Sequence, residues 1–172
     1  MPTYIETARW VIVILASLVL GVAAARDVSE RRIPNWTVLA IAGLFAMWTL
    51  VAPSVSLLSS LGAAGIVFVV TLGFVAFNLF GAGDSKLMTA VALFAGVRLL
   101  PYFVLGTVLF GGALAVFSLA LEPRRALALI QLRGRGDPSR GIPYGVAISL
   151  AGVILLLHEL SCSASDPRLL CF

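Results

Sequence analysis

The sequence predicts an all-α, polytopic integral membrane protein with six transmembrane helices and both termini outside the cytoplasm. Three observations support this. Of 172 residues, 60% are hydrophobic and only 12% are charged, whereas an ordinary soluble domain is about 45–50% apolar and roughly a quarter charged. Mean hydropathy is +1.07, as expected of a chain that lives largely in lipid. Apolar runs recur along the whole length, and no stretch is both long and polar enough for a separate soluble domain. Residues 1–172 therefore read as one membrane-embedded unit.

The first helix is expected over 8–25, around the run Trp10 to Ala25. Its closing Ala-Ala-Ala has the look of a signal-peptidase site. However, Glu6 and Arg9 balance each other before the run, and Arg26, Arg31 and Arg32 follow it closely. That distribution favours an uncleaved span with its N-terminus outside. The second helix, 33–52, opens at Pro34 and Asn35, residues suited to a helix start. The third is expected over 57–80 and the fourth over 84–100. The apolar part of the fourth, Leu87 to Val97, rises only about 16 Å against a hydrocarbon core of about 30 Å. Extending it from Asp84 to Leu100 gives about 25 Å, with Arg98 free to snorkel outward. Arg98 and Pro101 separate it from a fifth helix over 102–121, and a polar segment, 122–140, precedes a sixth over 142–160. The 122–140 segment reads as a connector carrying orienting charge, although its amphipathic opening would also suit the membrane surface.

Basic residues outnumber acidic ones by 12 to 8, but their placement argues for orientation in a bilayer and against nucleic acid. Six spans put 26–32, 81–86 and 122–140 in the cytoplasm, with Arg26, Arg31, Arg32, Lys86, Arg124, Arg125, Arg133, Arg135 and Arg140. Only Arg9, Arg98 and Arg168 fall on the other side, a clear positive-inside bias. Cys162 and Cys171 form no Cys-x-x-Cys and have only His158 nearby, which does not make a metal site. Outside the cytoplasm they would be free to form a disulfide.

The same topology puts two acids at one rim. Asp27 is expected to follow the first helix, and Asp84 to begin the fourth, at nearly the same depth on the cytoplasmic side. An ionisable group beside lipid is costly and is a functional candidate by default. Two carboxylates close enough to share a proton cannot both ionise easily. One can then take a proton from a water while the other polarises a peptide carbonyl, which is the chemistry of an aspartic protease. Gly81 and Gly83 permit tight backbone geometry and close approach of a peptide. They put Asp84 at a helix start, where free N–H groups favour charge. Gly-Ala-Gly-Asp is also an ordinary composition for a cytoplasmic turn, and Arg31, Arg32 and Pro34 are accounted for by topology alone. His158, in the last helix, reads as a packing or interfacial residue.

Side by side, the stretches "DVSERRIPNW" (27–36), "GAGDSKLM" (81–88) and "GIPYGVAI" (141–148) resemble the type IV prepilin peptidase family, membrane aspartyl proteases of the GxGD type. The resemblance covers almost the whole chain. It implies Asp27 and Asp84 as the catalytic pair and Gly81 and Gly83 as shapers of the turn. Pro34, Asn35, Lys86, Pro143, Tyr144 and Gly145 are implied as supporting residues, with Pro143 and Gly145 either breaking the helix or flanking a substrate groove.

The substrate implied is a prepilin or pseudopilin with a short basic leader and a hydrophobic helix, cut at the cytoplasmic face of the bacterial inner membrane. Lipids and the pilus assembly machinery are the implied partners, and no cofactor is needed. Larger relatives carry Cys-x-x-Cys pairs and also N-methylate their product. No such pair occurs here, so the chain resembles the short, peptidase-only form of tight-adherence (Flp) pilus systems. Archaeal preflagellin peptidases resemble the same core. The rival readings are a small transporter, or a non-catalytic assembly subunit of a pilus or secretion system.

Overall fold

The computed structural model describes residues 2–52, 56–121 and 144–165. It is all-helical among these: α1 (Pro2–Glu30), α2 (Asn35–Val51), α3 (Leu57–Ala76), α4 (Ala82–Leu121) and α5 (Tyr144–Ser165). Four of the helices are long and apolar enough to cross a membrane, and α2 is a shorter apolar helix. The chain is a polytopic membrane protein by this architecture. The 122–140 segment, Pro143, Arg168 and Cys171 lie outside the described residues, and of Cys162 only its place in α5 is described.

Helix α1 runs five residues beyond the expected end at 25, so Asp27 belongs to its last turns rather than to a following loop. The sequence 26–30 sustains the helix: Arg26 pairs with Glu30 one turn on, and the Ser29 hydroxyl donates back to the Ala25 carbonyl at 2.9 Å. Arg31 then ends it in the left-handed region, φ 52°. Pro34, extended at φ −65° and ψ 139°, opens α2 as expected. At the far end of α2, the Arg9 guanidinium of α1 donates to the Val51 carbonyl at 3.2 and 3.3 Å, a cation on helix-terminal carbonyls.

Helix α3 stops at Ala76, short of the expected 80. Asn78 takes φ 55°, Leu79 N–H donates to the Phe74 carbonyl at 2.9 Å, and Asn78 N–H to that of Val75 at 3.0 Å. This is a Schellman ending, with asparagine in the left-handed place usually held by glycine. Four residues are thereby freed to form the turn that carries Gly81.

The interruption expected at Arg98–Pro101 falls instead at Gly96, where φ is 54° and ψ 179°. Glycine bears no Cβ penalty at that φ, whereas Pro101 is accommodated inside the helix. The break folds α4 back on itself. Val91 of the first arm (82–95) lies against Gly152 of α5, while Gly106 and Gly111 of the second arm (97–121) lie against Ala151 and Tyr144. Positions 91 and 106 thus share a level, although a straight helix would separate them by about 22 Å. The first arm and α5 run parallel, and the second arm returns.

Small residues make this packing possible. Ala16, Ala23, Ala63, Ala92, Ala95 and Ala147 are fully buried, letting helices approach closely, as is usual in membranes. Phe94 fills the space between, edge-on to Phe45 at 5.2 Å and beside Trp48 at 6.3 Å. Large apolar residues such as Leu39, Leu58, Val69 and Val116 point outward, as they would toward lipid.

Gly152 sits where α1, α4 and α5 all meet: an added Cβ would lie 3.0 Å from Val91 and 3.1 Å from Leu20 side chains. Gly152→Val should therefore lower stability by about 1–3 kcal/mol, the usual cost of overpacking. Gly43→Ala, at a position with nothing within 4 Å, should leave it unchanged. Thermal unfolding of both variants in detergent checks this.

Candidate active site

Three stretches distant in sequence meet at one end of the bundle. Asp27, in the last turns of α1, is 7% exposed. Its Oδ2 accepts a 2.8 Å hydrogen bond from the backbone N–H of Gly145, in the first turn of α5. A Cβ on Gly145 would lie 2.8 Å from that oxygen and 2.9 Å from Cγ of Asp27. Glycine is needed here because the backbone itself touches the carboxylate.

Asp84 lies in the first turn of α4, where the charge of Asp27 acts on it directly. Gly145 touches Asp27, its neighbour Tyr144 packs on Phe80, and the next residue, Gly81, touches Asp84, so both carboxylates lie at the same end of the bundle despite their sequence separation. Gly81 stands against Asp84 as Gly145 does against Asp27: an added Cβ would be 2.7 Å from Asp84 Oδ2. Gly83 fills a different need, since a Cβ there would press on Ile33 at 3.3 Å. The two motif glycines thus separate in role, one making room for the acid and one for the α1–α2 link.

Supporting contacts tie the stretches together. Lys86 Nζ donates to Asn35 Oδ1 at 3.3 Å, joining the start of α4 to the start of α2. The Pro34 carbonyl accepts from Thr37 N–H at 3.1 Å and from its hydroxyl at 2.7 Å. The Ser85 and Thr71 hydroxyls bond at 2.7 Å, fixing α3 beside the first arm of α4. The Tyr144 ring packs on Phe80 at 5.9 Å and lies under Gly111, where a Cβ would meet it at 2.9 Å.

All the sequence-singled residues that are described, Asp27, Pro34, Asn35, Gly81, Gly83, Asp84, Lys86, Tyr144 and Gly145, thus fall in this one neighbourhood. His158 does not: it is exposed on α5, about 20 Å along the helix axis from Gly145. Sequence reasoning missed two things. A Pro-Tyr-Gly helix opening signalled free N–H groups able to bind an anion, but not that Gly145 would deliver its amide to Asp27. Glu159, buried with its Oε1 unpartnered among the described residues, is a lone acid in an apolar run and so was a candidate by default. It too is about 20 Å along α5 from the aspartates.

An all-helical, apolar bundle that gathers two acids from distant stretches at one end defines a class, that of membrane proteins with a polar site at one end of the bundle. The profile of the type IV leader peptidase family matches residues 14–116, and the chain belongs to that family. Searches of curated proteins and of solved structures returned no match.

Misplacing a reacting group by an ångström costs on the order of 100-fold in rate. Gly145→Ala and Gly81→Ala should therefore each lower peptidase activity by about 10- to 100-fold while leaving the fold intact. Gly112→Ala, in open space, should not. Rates and circular dichroism on the same preparations decide the matter.

Proposed function

We propose that the protein is an aspartic-type endopeptidase that removes the leader of type IV prepilins or pseudopilins at the cytoplasmic face of the bacterial inner membrane. The observation that carries this is the gathering of Asp27 and Asp84 at one end of the bundle, inside the span matched by a leader peptidase family. One acid, ionised, takes a proton from water. The other, protonated, supplies one to the scissile carbonyl. Acids at one end of a bundle suit this better than transport, for which they would line a route between the two faces.

The positive-inside distribution supports a cytoplasmic position for the pocket. It also supports six spans with both termini outside, and the folded-back α4 supplies the fourth and fifth. The substrate's hydrophobic helix would lie in lipid against the bundle while its leader junction unwinds into the pocket. Basic residues around that rim would meet anionic headgroups. Among such enzymes, the absence of Cys-x-x-Cys favours the peptidase-only form of tight-adherence pilus systems, without N-methyltransferase activity.

Co-expression with a prepilin tests the proposal. The wild-type chain should shift the prepilin to its mature size, and Asp27→Asn or Asp84→Asn should each abolish the shift while the variant still accumulates in the membrane. Cleavage that survives both substitutions would remove the protease reading.

A further inference from the structure

The two aspartates are not equivalent, and their surroundings distinguish them. Burial weighs against charge on both acids, but Asp27 receives the Gly145 N–H at 2.8 Å, and the Val146 amide beside it also favours its charge. From just beyond the end of α1, the Arg31 guanidinium adds positive charge. Asp84, on α4, is the acid facing it, while α5 presents only amides and the Tyr144 ring. From the α2 side, Lys86 is engaged with Asn35. Asp84 accepts no side-chain hydrogen bond among the described residues, and the charge acting on it is the negative one of Asp27. Sequence reasoning expected the start of α4 to favour charge on Asp84. Instead, the start of α5 delivers its N–H groups to Asp27.

We infer that Asp27 is the ionised member of the pair and the general base, and that Asp84 is the protonated member and the general acid. This deepens the peptidase reading and rests on it. The water oxygen bonds to the scissile carbonyl carbon as its proton passes to Asp27, and the Asp84 proton passes to the carbonyl oxygen, giving a neutral gem-diol. On collapse the C–N bond breaks. The Asp27 proton goes to the leaving nitrogen, and one gem-diol hydroxyl returns its proton to Asp84. Both acids end as they began. Throughout, the Gly145 amide holds the Asp27 carboxylate in place, which is why an added Cβ there collides with the base.

Two measurements test the assignment on the full chain in lipid nanodiscs. The first is 13C NMR of protein labelled at the aspartate carboxyl carbon, with resonances assigned through the Asn variants. Asp27 in Asp84→Asn should ionise at least about one pH unit below Asp84 in Asp27→Asn, the scale expected of a direct hydrogen bond to charge.

The second is the pH dependence of prepilin cleavage, which for a pair sharing one proton is bell-shaped. Ionisation of Asp27 sets the acidic limb and loss of the Asp84 proton the basic limb. Arg31→Gln removes a charge that favours ionised Asp27, so the acidic limb should move to higher pH and the basic limb should stay. Asp84 ionising first, the two ionising together, or movement of the basic limb alone overturns the assignment even where both Asn variants lose cleavage. Cleavage persisting in both Asn variants removes the peptidase reading itself, and the assignment with it.

Discussion

The hydrogen bond from the Gly145 amide to Asp27 is the constraint around which the rest is arranged. It requires the start of one helix to meet the end of another with no side chain between them. A buried carboxylate without donors is costly, and a backbone N–H is the donor least able to rotate away. Holding it there demands that α1 and α5 cross closely along their length. Gly152 against Leu20 and Val91, and the fully buried alanines of both helices, meet that demand.

The second acid depends on a different set of constraints. Asp84 is aimed by the turn between α3 and α4, and that turn exists because Asn78 ends α3 with a left-handed residue. The Thr71–Ser85 and Lys86–Asn35 contacts then hold the start of α4 against α3 and α2. One acid is thus positioned by backbone contact with α5, and the other by side-chain ties among its neighbours.

Much of this was legible in the sequence, because hydrophobic run length and charge placement are strong signals. The helix runs and a common end of the bundle for Asp27 and Asp84 followed from them, while Tyr144 and Gly145 were singled out by the family resemblance. The misplacements have local causes. Arg26 to Glu30 read as a charged loop, yet an ion pair one turn apart and a serine back-bond keep them helical. Pro101 was the obvious helix breaker, but Gly96 alone takes the backbone angle that reversal requires. The Gly145 contact was hidden because it depends on which helix start faces which acid, a matter of tertiary packing that no spacing within one segment encodes.

The reversal at Gly96 has a consequence for the surrounding lipid. The arm that carries Asp84 has only 14 residues (82–95) before the break, a rise of about 21 Å where the hydrocarbon is about 30 Å thick. A span that falls short draws the leaflets toward each other, at a fraction of a kcal/mol per ångström of mismatch. The thickness of the host membrane thereby becomes a variable for the end of the bundle where the acids lie, since a thinner bilayer would bring the headgroup region nearer to them.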